Sequence, residues 1–268
     1  MRLTLIIAVA LAGFTQASAA LAAPMCLGHE ATIVGTSGPD ILRGTAKRDV
    51  IVARGGDDQV AAGGGNDLVC GGSGDDSFSL GAGSDMASAQ RGRDFVDAGF
   101  GSDSVWLGRG NDFDGASGGP GNDRLSGGKG SDTLDGGTGD DLHRGGPGGD
   151  LFLDAVGLSD DVFRGGLGRD SVHWFGTRSV AADLNTGQAT GDGNDLLFRI
   201  ENLVGDSGND TLIGNGIANR LIGFGGKDHL EGRGGNDTLD GGNNTDFLDG
   251  GAGAHDECLH GEAVLNCE

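Results

Sequence analysis

Aspartate recurs every nine residues through most of this chain of 268 residues. The block AGGGNDLVC, which begins at Ala62, and the block GGSGDDSFS, which begins at Gly71, each place Asp sixth and an apolar residue eighth. Carboxylate oxygens bind hard cations, so a periodic set of them predicts metal chemistry. The sixth-place aspartates are Asp40, Asp49, Asp58, Asp67, Asp76, Asp85, Asp94, Asp103, Asp112, Asp123, Asp132, Asp141, Asp150, Asp161, Asp170, Asp210, Asp228, Asp237 and Asp246.

The other places of each block predict the element that positions the carboxylate. Glycine at the first, second and fourth places permits a tight turn with positive φ. The last three places predict a short strand whose middle residue, the eighth, points inward. Two blocks then close one coil, and blocks two apart stack about 4.8 Å from each other. The sequence predicts an all-β fold, a right-handed parallel β-roll or β-solenoid.

Stacking brings like charges together. Asp58, Asp76 and Asp94 fall in one column, where neighbouring carboxylates repel by roughly 1 to 3.5 kcal/mol. A Ca²⁺ ion between adjacent turns reverses that sign, because calcium takes six to eight oxygen ligands from carboxylates and backbone carbonyls. A buried Leu or Val contributes only about 1.5 to 3 kcal/mol, against about 13 kcal/mol for ordering nine residues. The chain is therefore predicted to fold when it binds several calcium ions.

The blocks resemble the GGxGxDxUx nonapeptide of the RTX, or haemolysin-type, calcium-binding family, in which U is a large apolar residue. About twenty copies cover nearly the whole chain after its leader. The resemblance implies that Asp carboxylates and turn carbonyls of two stacked blocks hold each ion. The candidate ligands are Asp58, Asp67, Asp76, Asp85, Asp94, Asp103, Asp112, Asp123, Asp132, Asp141, Asp150, Asp210, Asp228, Asp237 and Asp246.

Several positions depart from the pattern. Asp49 and Asp161 are weaker candidates because Lys and Ser replace Gly at the fourth place of their blocks, and Asn219 keeps an oxygen without the charge. A two-residue insertion is assigned at 116–117, which puts Asp114 at an eighth, core-facing place and predicts a kink. His143, also at an eighth place, is interpreted as a tolerated irregularity rather than a metal ligand.

The chain ends predict export and cross-linking. Arg2, an apolar run from Leu3 to Phe14 and small residues up to Ala23 are typical of a secretory signal peptide. The four cysteines form two groups, and in an exported protein their proximity suggests disulfides Cys26–Cys70 and Cys258–Cys267.

These features divide the chain into predicted segments. Register is lost between Trp174 and Val204, where Trp174 and Phe175 leave open either a packing spacer or a partner-binding patch. The segments are a signal peptide (1–23), an N-terminal cap strand (24–34), a first β-roll array (35–173), an irregular spacer or cap (174–204), a second array (205–257) and a C-terminal cap closed by a disulfide (258–268).

Charge and motifs narrow the function. A formal charge of −22 disfavours nucleic acid and anionic membranes as partners, and no segment predicts membrane insertion. Catalytic motifs are lacking; for example, Ile33 stands where H-E-x-x-H needs its second His. A secreted, non-enzymatic calcium-binding structural or binding module is favoured. Two alternatives remain open. One is a cell-surface adhesin or polysaccharide-binding solenoid, although the seventh places form no row of identical residues. The other is an extracellular hydrolase that uses the irregular segment.

Overall fold

The computed structural model describes residues 23–110, 113–155, 159–176, 178–191 and 193–267. These residues form 29 strands and no helix, so none of them lies in a helix that could span a membrane. The strands form one twelve-stranded sheet, one fifteen-stranded sheet and a two-stranded hairpin. The hairpin consists of β1 (Met25–Cys26) and β2 (His29–Glu30), which pair antiparallel. The prediction of an all-β solenoid is confirmed.

The twelve-stranded sheet contains the second strand of each coil. Its members in chain order are β4 (Ile41–Arg43), β6 (Gln59–Gly64), β8 (Ser77–Ala82), β10 (Phe95–Phe100), β12 (Gly115–Pro120), β14 (Thr133–Thr138), β16 (Leu151–Ala155), β18 (Ser171–Phe175), β22 (Asn202–Val204), β24 (Arg220–Ile222), β26 (Thr238–Asp240) and β28 (Glu257–Leu259).

The fifteen-stranded sheet lies on the opposite side of the coil. Its members in chain order are β3 (Ile33–Val34), β5 (Val50–Gly55), β7 (Leu68–Ser73), β9 (Met86–Arg91), β11 (Ser104–Gly108), β13 (Arg124–Ser126), β15 (Leu142–Pro147), β17 (Val162–Leu167), β19 (Ala181–Asp183), β20 (Gln188–Thr190), β21 (Asn194–Phe198), β23 (Thr211–Ile213), β25 (His229–Glu231), β27 (Phe247–Asp249) and β29 (Ala263–Leu265).

Strand register follows the predicted coil of two blocks. Val60 on β6 lies opposite Phe78 on β8, 18 residues later, and the pairing is parallel. Val69 on β7 is likewise paired with Ala87 on β9 in the other sheet. Blocks two apart in the sequence therefore stack directly, as predicted.

The core lies between the two sheets and uses two places of each block. Eighth-place residues such as Phe78, Leu134 and Phe163 are fully buried. First-place residues such as Leu80 and Leu107 also point inward and are fully buried. The sequence predicted strands of three residues, but most strands up to β17 contain five or six, because the parallel ladder continues through the glycine positions and needs no side chains there.

The segment at 174–204 is built into the solenoid. Strand β17 pairs with β21 and β19 pairs with β23, both parallel, while β20 pairs antiparallel with each of β19 and β21. On the opposite side β18 pairs directly with β22. Trp174 is 2% exposed and belongs to the core, so only Phe175 of this pair lies at the surface.

Both suggested disulfides are present. Cys26 bonds Cys70 with Cα atoms 5.6 Å apart, which fixes the N-terminal hairpin against β7. Cys258 bonds Cys267 with Cα atoms 5.8 Å apart, at the last coil.

Candidate metal sites

The sixth-place residues form two ladders, one at each turn of the coil. The backbone N–H of Asp58 donates to Oδ1 of Asp76 at 2.9 Å, and the N–H of Asp76 donates to Oδ1 of Asp94 at 2.9 Å. At the other turn, the N–H of Asp67 donates to Oδ1 of Asp85 at 2.7 Å. Each carboxylate is thus held in one orientation by the coil before it, which leaves its second oxygen to face the turn.

That second oxygen is buried and receives no hydrogen bond from the described residues in fourteen of the ladder aspartates. These are Asp58, Asp67, Asp76, Asp85, Asp94, Asp103, Asp123, Asp132, Asp141, Asp150, Asp170, Asp228, Asp237 and Asp246. A buried carboxylate oxygen without a donor is costly, so a repeated set of them needs a compensating positive charge.

In many blocks glycine at the first place leaves room for this oxygen. A Cβ atom placed on Gly136 would collide with Oδ2 of Asp141, and one on Gly145 would collide with Oδ2 of Asp150. In these blocks the carboxylate oxygen occupies the space that a side chain would fill, whereas other blocks have Ala or Leu at the first place, as at Leu80 and Ala89. The turn itself needs positive φ at its fourth place, where Gly74, for example, has a φ of 122°.

Burial and like charge both act on these carboxyl groups. Burial, followed by the charges of neighbouring aspartates, raises the pKa of Asp76 to about 6 and the pKa of Asp94 to about 7. The same causes raise the pKa of Asp141 to about 8. The backbone hydrogen bonds oppose these shifts but do not cancel them. The ladders are thus electrostatically unfavourable until cations enter them.

The structure brings all of the predicted ligands that it describes into these two ladders. Asp112 is the exception, because it lies outside the described residues. Asp49, Asp161 and Asn219, the weaker candidates, occupy the ladders too: the N–H of Asp49 donates to Asp67, and the N–H of Asn219 donates to Asp237.

The register assigned around Asp114 from sequence was wrong. The N–H of Asp94 donates to Oδ1 of Asp114 at 2.8 Å, and Val96 lies opposite Ala116. The two extra residues therefore precede Asp114 rather than follow it. Asp114 occupies a sixth place, and the buried Ala116 takes the eighth.

Sequence inspection also missed four ladder members, which are Asp195, Glu201, Asp256 and Glu262. The N–H of Asp170 donates to Glu201 at 2.8 Å, and the N–H of Asp246 donates to Glu262 at 2.7 Å. Asp161 and Asp237 donate in the same way to Asp195 and Asp256. In each case the acidic residue stands two places before the residue that pairs at the eighth place. An acidic residue two places before an apolar one, sought without requiring the glycines, is the signal that identifies these four residues.

One level of the solenoid carries an additional carboxylate. Asp154 lies on β16 at a first place, where most later blocks have Gly, and it is 2% exposed. Asp154, Asp161 and Asp195 each offer a carboxylate oxygen within 4.8 Å of the others. His143, by contrast, stacks on Phe163 with ring centroids 4.7 Å apart, and burial lowers its pKa to about 3. It is a neutral core residue, in agreement with the sequence interpretation.

The donor set fits calcium. The oxygens are hard, anionic and repeated at adjacent levels, and the buried Oδ2 atoms of fourteen aspartates have no donor among the described residues. When bound, Ca²⁺ would supply the positive charge that offsets carboxylate repulsion between coils. The aspartates of both ladders would hold it.

A comparison with known protein families matches the RTX calcium-binding nonapeptide repeat, a pattern of four copies, to residues 34–69, 63–87, 81–114, 117–152, 199–220 and 222–254. These segments cover more than half of the chain. A search of curated proteins gave no match. The nonapeptide spacing, the parallel solenoid and the paired aspartate ladders agree with the match, and the chain belongs to the RTX calcium-binding nonapeptide repeat family.

Proposed function

We propose that this protein is exported and acts as a calcium-dependent structural or binding module without catalytic activity. Calcium ions enter between successive coils at both turns, held by the ladder aspartates, and the chain becomes a solenoid only when they do. The observation that carries the proposal is the row of buried Oδ2 atoms, since no side-chain donor of the described residues compensates them.

Export is supported by two independent features. The first 23 residues have the composition of a secretory signal peptide, although all but the last of them lie outside the described residues. All four cysteines pair as disulfides, which persist in oxidising compartments. Extracellular calcium modules bind at about 10⁻⁴ to 10⁻³ M, and we expect affinities in that range.

The test is a calcium titration followed by circular dichroism. The metal-free chain should lack most of its strand signal and gain it cooperatively as calcium is added. The double variant Asp76→Asn with Asp94→Asn should raise the calcium concentration at half-folding by at least about tenfold, because even outer-shell changes cost 10- to 100-fold in metal affinity.

Asp97→Asn is the matched control. Asp97 lies on β10 between the same coils, but its side chain is exposed and points away from the core. This variant should fold at the wild-type calcium concentration. A strand signal that survives chelation unchanged would refute the proposal, as would an equal effect of the control.

A further inference from the structure

Basic residues gather on one face of an otherwise acidic protein. Strands β5 to β17 of the fifteen-stranded sheet carry five of them, and we add three that lie in the turns after β11, β13 and β21; all eight are exposed. We call this surface the basic face; its residues are Arg54, Arg91, Arg109, Arg124, Lys129, Arg144, Arg164 and Arg199. No ion pair involves any of them within the described part of the chain.

The outer side of the twelve-stranded sheet does not share this enrichment in basic residues. Strands β6 to β18 of the twelve-stranded sheet contain no Lys or Arg, and they carry Asp97 and Asp135 on their outer side. Strands β5 to β17 of the fifteen-stranded sheet contain no Asp or Glu. In a chain with a formal charge of −22, the strands of the two outer faces thus differ in sign.

One row across the basic face places two arginines between two aromatic residues. The ninth-place residues of β11, β13, β15, β17 and β21 lie opposite one another in register. In order they are Trp106, Ser126, Arg144, Arg164 and Phe198. At about 4.8 Å per strand, the row is about 19 Å long.

The two aromatic ends of this row remain at the surface. Trp106 is 41% exposed and Phe198 is 42% exposed. The guanidinium carbon of Arg164 lies 4.6 Å from the centroid of the Phe198 ring, which orients this cation beside an apolar face. Large exposed aromatic rings next to cations mark binding surfaces more often than isolated exposed residues do.

Each end of the row lies in a groove. The first groove, of about 740 Å³, contains Trp106 and is bounded by Leu27 of the N-terminal hairpin. The second, of about 700 Å³, contains Phe198 and is bounded by the turn at 184–187 between β19 and β20. The elements added to the plain solenoid therefore form walls at the two ends of the basic face.

The basic face also carries uncompensated costs. Arg144 and Arg164 stand directly opposite each other on adjacent strands, and like charges in that position are destabilising. Arg54 and Gln90 have φ of 82° and 87° at places where the neighbouring strand has Gly. Long polar side chains in this left-handed region are uncommon. An anionic ligand would reduce the repulsion between Arg144 and Arg164. It would also contact the side chains of Arg54 and Gln90, for which the backbone adopts positive φ.

We infer that the basic face binds a linear acidic polysaccharide laid across the strands. Planar guanidinium groups match carboxylate or sulfate groups, and the aromatic rings provide flat apolar faces for the CH sides of sugar rings. A polymer with spaced charges and sugar faces suits a row whose cations lie between two aromatic residues. The dense charge of nucleic acid and of anionic bilayers is opposed by the net negative charge of the protein.

This inference rests on the proposed function, because the row exists only in the calcium-folded coil. The experiment uses the calcium-loaded protein and measures fluorescence anisotropy with labelled hyaluronate, chondroitin sulfate and uncharged dextran. Hyaluronate offers carboxylates alone and chondroitin sulfate adds sulfate groups, so the first two probes show whether sulfate is required. At least one acidic probe should bind, dextran should not, and binding should weaken as salt is added.

Two variants and two matched controls locate the site. The double variant Arg144→Gln with Arg164→Gln, and separately Trp106→Ala, should weaken binding by about tenfold or more, equivalent to about 1.4 kcal/mol. Arg43→Gln with Arg220→Gln makes the same charge change on the other sheet, and Phe95→Ala removes a 53% exposed ring there. Both controls should bind like wild type.

The outcomes are distinguishable from failure of the calcium proposal. Circular dichroism of the same samples should show that every variant still folds when calcium is added, since none of these residues belongs to a ladder. A normal transition with no acidic-probe binding overturns only this inference. Equal losses in the controls, binding to dextran, or a preference for duplex DNA or phosphatidylglycerol vesicles would also overturn it.

Discussion

Asp94 and Asp114 are consecutive members of one ladder although they are 20 residues apart. The N–H of Asp94 donates to Oδ1 of Asp114, whereas the N–H of Asp76 donates to Oδ1 of Asp94, only 18 residues later. Two extra residues therefore precede Asp114 in the sequence, and the carboxylate ladder continues through Asp114 without a break.

Replacement of Asp114 should weaken calcium-dependent folding. Asp114→Asn removes charge from the ladder between Asp94 and Asp132 and should raise the calcium midpoint by about tenfold. A circular dichroism titration measures the effect. Asp112→Asn is the comparison variant, because strict counting in blocks of nine places Asp112 at the sixth place. It should raise the calcium midpoint less than Asp114→Asn does. The opposite order would show that the observed register is wrong.

The fold could be predicted from the periodic residues, but the register could not be predicted where the period is interrupted. Asp58 to Asp103 follow a fixed interval with apolar residues two places later, so both ladders and the inward row could be derived from spacing. Near Asp114, either of two aspartates fits the motif, and only parallel pairing of Val96 with Ala116 decides between them. Glu201 was missed because its block has no glycine turn and its longer side chain reaches the same backbone N–H.

The basic face was beyond sequence reasoning for a different reason. Arg144 and Arg164 are 20 residues apart, and Trp106 and Phe198 are farther apart still. Their common row depends on both two-residue insertions and on the pairing of β17 with β21. The seventh places form no regular row, and the patterned residues stand at the ninth.

Without calcium, acid should favour the folded state. The pKa of Asp76, Asp94 and Asp141 is raised in the fold to about 6, about 7 and about 8, whereas unfolded aspartates titrate near 3.8. The folded chain thus binds more protons between these values, and its stability falls as the pH rises from about 4 to about 8.

Circular dichroism in calcium-free buffer checks this dependence. The strand signal should be larger at pH 4.5 than at pH 7.5. With calcium present the order should reverse, since protons compete with the cation for the carboxylates. A metal-free strand signal that grows with pH would contradict the account of the ladders as uncompensated buried charge.

His143 should limit the stability of the calcium-loaded coil, most strongly in mild acid. Burial lowers its pKa in the fold from 6.5 to about 3, so the unfolded chain takes up a proton that the folded chain excludes as the pH falls below 6.5. His143→Leu, which restores the residue type found at Leu125 and Leu134, should stabilise the protein by about 1 to 3 kcal/mol. The gain should be larger at pH 5.5 than at pH 7.5 and is measured by thermal unfolding in saturating calcium. His229→Leu changes an exposed imidazole on β25 and should leave the melting temperature near that of wild type. A loss of stability in His143→Leu would instead indicate that the ring contacts of the imidazole with Phe152 and Phe163 outweigh the cost of its burial.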